Sequence, residues 1–360
     1  MRRLLLVEPD GRVTLCDLDS GERVGLNSAG SGEELVGPRT GTRTAAWSPT
    51  GQWAACALDA VELDGVHELR VHHLDSGKVE VVASELTAFY VCPSPCGRYV
   101  GHLSPGPLGL EFGLSDVETG ELRIIERGQP LFWSWSPDAS QLAVHVEDRV
   151  FVVPMGGGES RMLTEQAGSF LAPWWMPDGS VVVASDDRLI NYGLDGSVTE
   201  LAGACVSGRY ALDPEGRRLA FVDLIDDLPG LMVLDLLTGE RNIVAKERTA
   251  GFFWSPEGRR LAALVVAGPN HVQWIVSAGD DVVRLTPFRP GPNWAREVLP
   301  FFEQYAQSHM VWSADGMQLV APGLDADGST EAVVQTVDAV PTTVRVPGAR
   351  LAWWAGATPP

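Results

Sequence analysis

Trp135-Ser136-Pro137-Asp138 and Trp254-Ser255-Pro256-Glu257-Gly258 are the cleanest copies of a short string that decides the fold. Ser-Pro-Asp-Gly is a tight-turn tetrad. Serine hydrogen-bonds the backbone two residues on, proline presets φ at the second position, and glycine tolerates the exit. Strand-like apolar residues flank the turn: Phe252 and Phe253 precede Trp254, and Leu261 to Val266 follow Gly258. Each copy is therefore a hairpin signal. The tryptophan that ends the first strand is large enough to fill the gap between two packed sheets.

The turn prolines, or the residue in their place, are Pro49, Pro95, Pro137, Pro177, Pro214, Pro256 and Ala314, spaced 46, 42, 40, 37, 42 and 58 residues apart. Trp47, Trp135, Trp175, Trp254 and Trp312 hold the tryptophan position, which Pro93 and Leu212 take in two weaker copies. A period near 40 with strand-turn-strand content predicts a β-propeller with one four-stranded blade per repeat. A last, truncated copy lies at Leu351 to Gly356. The N-terminus offers three strands, at Leu4 to Val7, Val13 to Cys16 and Glu22 to Leu26, with no tryptophan strand ahead of them. The expectation is an all-β, single closed ring over residues 1–360 with eight blades. The C-terminal strand completes the N-terminal blade and removes two exposed sheet edges. Seven blades is the alternative, if the N-terminal strands only cap the ring.

These Trp-Ser-Pro-Asp-Gly hairpins resemble the Pro-Asp repeats of TolB-type, WD-like β-propellers, and the resemblance covers nearly the whole chain. The motif is specific for architecture and not for function. Related repeats occur in TolB, in the propellers of prolyl-oligopeptidase-like peptidases and in stand-alone bacterial proteins. The chain carries more copies than a TolB-type ring. No Gly-x-Ser-x-Gly elbow or α/β domain is read in it, so the peptidase function that the resemblance offers is not expected.

Composition narrows the function classes. A net charge of −20 and a pI near 4.7 argue against nucleic acid and against anionic membrane surfaces. The run Leu4 to Val7 is too short for a signal peptide, and no apolar stretch is long enough to span a membrane. Five scattered cysteines (Cys16, Cys56, Cys92, Cys96 and Cys205) fit a reducing cytoplasm. Cys92 and Cys96 flank one turn without the second pair that zinc wants, and the seven histidines form no ligand spacing. No Walker loop or cofactor motif is read. An enzyme using His309, Glu303 and a loop aspartate is conceivable, but no catalytic constellation is legible. The expected function is thus a non-catalytic protein-binding scaffold without a cofactor. A small-molecule or peptide site in the central channel is the first alternative, and a metal-assisted lyase or hydrolase the second.

The widest repeat gap places an insertion at about residues 287–310, between blades. Pro300 suits the first helical position, where no N–H is needed. Val298, Phe301, Phe302 and Tyr305 then fall on one helix face. Trp294, Phe301, Phe302, Tyr305 and His309 are the candidate partner-binding residues, as an outward aromatic anchor of the kind enriched at interfaces. The competing expectation is that these rings pack down as a plug over the channel. The loops bearing Asp59, Glu62, Asp64, Asp186, Asp187, Asp223, Asp226, Asp227, Asp325 and Asp327 should form an acidic rim.

Overall fold

The computed structural model describes residues 2–26, 40–60, 67–107, 109–168, 171–185, 188–202, 209–279 and 281–356. Its strands form eight antiparallel sheets of four strands each, arranged as a closed propeller. Blade three is the regular case, ordered Leu131–Trp135, Gln141–Val146, Arg149–Pro154 and Arg161–Thr164. Burial falls from the axis outward. The innermost strand of blade three is wholly buried, whereas its outermost strand begins with two exposed residues. Inner strands are packed on both faces by neighbouring blades, so they read as unbroken apolar runs rather than alternating ones.

Blade eight closes the ring as the repeats imply. Leu351–Trp354 is its inner strand and pairs with Arg3–Val7 in the register Leu4↔Trp354 to Val7↔Leu351. Val13–Asp17 and Arg23–Gly25 follow outward. Leu4, Leu5, Leu6 and Val7 are fully buried, as is most of Trp353 and Trp354.

The recurring string has two mechanical roles. Its tryptophan fastens a blade to the one before it. Trp175, Trp254 and Trp312 donate Nε1–H to the carbonyls of Ser134, Ala211 and Phe253, at 3.1, 3.1 and 2.9 Å. Each acceptor immediately precedes the equivalent tryptophan position (Trp135, Leu212, Trp254) one repeat back. A buried indole N–H would otherwise be a desolvated orphan, so the bond fixes blade spacing as well as filling space.

Its serine closes the hairpin, and over a longer span than the two residues expected. Ser136 Oγ donates to Asp138 at 2.6 Å and accepts from the N–H of Gln141, five residues on, at 2.9 Å. Ser255 and Ser313 accept from Arg260 and Gln318 in the same way. Blade five lacks this serine. Asp213 takes its place, its carboxylate accepting from the N–H groups of Arg217 and Arg218 at 2.7 and 3.0 Å. The weak copy is a chemical substitute, not a missing turn.

Candidate functional site

The insertion does not lie between blades. Arg289–Pro290 has already joined blade seven, pairing Arg289↔Leu324 and Pro290↔Gly323, before the chain leaves the sheet. It returns at Trp312, which bridges Leu319 farther along the same strand. The excursion therefore interrupts the innermost strand of blade seven, and from there it enters the axis of the ring. This corrects the expected position.

Its local structure follows from that confinement. Trp294–Val298 is a π-helical turn, Leu299–Phe301 a 3-10 turn, and Phe302–Tyr305 a single α turn. Pro300 sits in the first turn of the 3-10 segment, where its missing N–H is harmless. Three helical periods in succession break the expected stripe, because each change of period rotates the following side chains. Trp294 and Phe302 are fully buried, Tyr305 and His309 nearly so, and Phe301 is 40% exposed. Four of the five candidate residues thus face the propeller, and only Phe301 meets solvent. The plug arrangement is the one adopted.

Each inward ring has defined neighbours. Trp294 lies 6.3 Å from Trp274, between ring centroids. Phe302 packs 4.5 Å from Phe252 and carries the Arg209 guanidinium over its face at 4.4 Å. Tyr305 stands edge-on to Tyr90 at 5.1 Å and stacks on Trp353 of the closing strand. The plug thereby touches blades two, six and eight.

Polar side chains fix it, and sequence reasoning singled out few of them. Gln304 is nearly buried and behaves like a peptide unit. Its Oε1 accepts from the Trp133 N–H at 3.1 Å, and its Nε2 donates to the Trp133 carbonyl at 2.7 Å. The inner edge of blade three has no neighbouring strand, so the amide satisfies backbone groups that burial would leave orphaned. The Tyr90 hydroxyl donates to Ser308 Oγ at 2.7 Å, and Ser308 Oγ meets His309 Nδ1 at 2.7 Å. Burial holds His309 down to about 3, against a weaker upward pull from the Ala45 backbone. Glu303 lies apart from His309's partners. Burial raises its carboxyl to about 7, and Arg209, donating at 3.1 Å, pulls it back. Arg209 also donates to the carbonyls of Ala250 and Leu299, tying blade six to the plug.

Beside the plug a cavity of about 310 Å³ opens between the insertion and blades two and three. Tyr90, Leu103, Phe132 and Trp133 line it from the propeller, and Phe301 and Tyr305 from the insertion. Phe132 and Phe301 stand 6.4 Å apart between ring centroids. Charge enters with Arg43, Arg296 and Glu297. The Arg43 guanidinium covers the face of Phe89, 5.4 Å from its centroid. Behind it, Arg350 donates to the Arg43 carbonyl at 3.0 Å. Burial lowers the pKa of Arg350, Glu297 raises it, and Arg43 lowers it further.

The other candidates are quieter. Asp325 accepts from the N–H groups of Asp327 and Ser329, which makes its faintly calcium-like string a self-capped turn. Asp226 pairs with Lys246 at 2.9 Å, and Asp223 with Arg241 at 3.5 Å. Glu62, Asp64, Asp186, Asp187 and Cys205, and the side chain of Asp59, lie outside the described residues. Cys92 is buried, which pushes its thiol up to about 12, while Cys96 is exposed. Among the described residues no three His, Cys, Asp or Glu side chains are grouped to hold a metal. No helix among them is long and apolar enough to cross a membrane.

No protein-family model matches the chain, and no curated protein is similar to it in sequence. Solved structures are similar in fold. A eukaryotic initiation factor matches with a TM-score of 0.63 and 12% identity, over 99% of each chain. A prolyl endopeptidase matches with a TM-score of 0.55 and 14% identity, over 94% of this chain and 55% of that one. TolB from Acinetobacter baumannii is similar at 17% identity and a TM-score of 0.41, over 78% of this chain. The match spans 61% of that TolB's length. At such identities the likeness is one of β-propeller fold.

Proposed function

We propose that this chain is a non-catalytic binding module whose working site is the cavity beside the plug. The observation that carries this reading is the cavity itself. There, apolar rings and charged groups from the insertion and from three blades converge around a pocket near the lower end of the ligand-sized range. The scaffold role expected from the sequence narrows accordingly. A protein partner would engage the cavity mouth and Phe301, not the whole aromatic set.

The non-catalytic part has its own support. Ser308 and His309 form a hydrogen-bonded hydroxyl–imidazole pair, but both are buried under the Tyr90 hydroxyl. An imidazole held near 3 is too weak a base to serve at neutral pH.

Leu110→Trp tests the site, since Leu110 lines the cavity and is only partly buried. Ligands from a metabolite and peptide library should raise the melting temperature of the wild type and leave that variant unmoved. Ligands that stabilise both proteins equally would move the site elsewhere. A partner protein captured by wild type but lost with Phe301→Ala would favour the scaffold form of this reading.

A further inference from the structure

We infer that the cavity is built for an aromatic anion, a flat apolar ring bearing a carboxylate. This rests on the reading of the cavity as the binding site and adds the chemistry of its occupant. The walls argue for the ring. Tyr90, Phe132 and Trp133 line it from the propeller and Phe301 and Tyr305 from the insertion, and the space suits one small ring system. Ring pairs gain from offset and edge-on contacts that an aliphatic chain does not make.

The rim argues for the anion. In a chain of net charge −20, arginines are the scarcer sign, yet Arg43 and Arg296 line this one cavity with Arg350 close behind. They come from three separate segments: blade one's inner strand, the insertion, and the turn before the closing strand. Glu297 is the single acidic side chain lining the cavity with them. Burial lowers the pKa of Arg350, and Glu297 raises it by more than Arg43 lowers it, so one carboxylate already faces these groups; two guanidinium groups still line the cavity against that one acid. A ligand carboxylate seated between Arg43 and Arg296 would meet them through charge-assisted hydrogen bonds.

Three matched probes test the idea by calorimetry on the full-length protein: indole-3-acetate, indole-3-acetamide and tryptamine. They share a ring and differ in charge. The carboxylate should bind about tenfold more tightly than the amide, the ammonium most weakly, and the advantage should shrink as salt is added. Arg296 is exposed, so Arg296→Glu should keep the fold, checked by an unchanged melting temperature without ligand; with or without Arg43→Gln it should erase the preference for the carboxylate. Acetyl-Gly-Gly-Trp with a free C-terminus separates the two sources of such a group. Tighter binding than indole-3-acetate assigns the site to a chain end, and weaker binding to a free aromatic acid. If amide and carboxylate bind wild type equally and both are lost in Leu110→Trp, the cavity reading stands and the anionic class falls. If no probe binds at millimolar concentration, or all bind Leu110→Trp unchanged, the cavity reading falls and the class falls with it.

Discussion

The inner strands of blades three and seven occupy equivalent places and are built in opposite ways. Blade three runs Leu131–Trp135 without a break, every residue buried, and then turns through Ser136. Blade seven keeps two residues, Arg289–Pro290, and resumes only at Trp312. Yet the repeat machinery survives in blade seven. Trp312 still donates to Phe253 of blade six, and Ser313 still closes the hairpin on Gln318. The ring is held by the indole staple and the serine turn. The strand that leads into them is dispensable where something else fills the axis. In blade seven that something is the plug, which also forms one wall of the cavity.

The comparison can be broken at three points. Ring closure should matter most. Removing residues 350–360 strips blade eight of Leu351, Trp353 and Trp354, all nearly buried. The expected loss is several kcal/mol, about 5 or more by large-to-small core substitutions, read as a collapse of the melting temperature or of soluble yield. An unchanged melting temperature would show that the closing strand is ornamental.

Next comes the attachment of the plug to blade three. Gln304→Leu keeps the volume and strands the Trp133 N–H and carbonyl. A loss of roughly 2–3 kcal/mol is expected, together with faster proteolysis within residues 294–310. If the ring melts as before and the insertion stays protected, the amide is not what seats the plug.

The smallest effect is a pH dependence. Glu303 rises from an ordinary 4.5 to about 7 on folding. The folded state therefore holds its proton where the unfolded state has released it. The associated stability is complete below 4.5 and is lost as pH climbs through 7. Wild type should lose on the order of 2 kcal/mol relative to Glu303→Gln between those limits, in paired chemical denaturation curves. Parallel curves would mean that Arg209 keeps the carboxylate charged throughout.

The ring was legible because its signals are local. Each Ser-Pro turn and its tryptophan lie within a few residues, and the period gives the count. Blade five was readable despite its losses, since Asp213 does the serine's work. The insertion's length was legible and its place was not. Arg289–Pro290 carries no strand pattern, and proline argues against a strand on its face. The aromatic stripe misled at Phe301 because the helix period changes on either side of the short 3-10 turn that carries it, Leu299–Phe301. Gln304 gave one faint signal, a lone amide among rings. The cavity gave none, because Arg43, Phe132 and Arg296 meet only after the ring has closed.

That closure has a consequence for synthesis. Arg3–Val7 leaves the ribosome long before its inner partner Leu351–Trp354, with seven blades translated in between. Throughout elongation, four apolar residues that end fully buried wait with an open hydrogen-bonding edge. Such an edge invites pairing with other chains. The nascent protein is therefore most vulnerable to misassembly before Leu351–Trp354 emerges, and a chaperone that shields residues 3–7 would act at the point of greatest need.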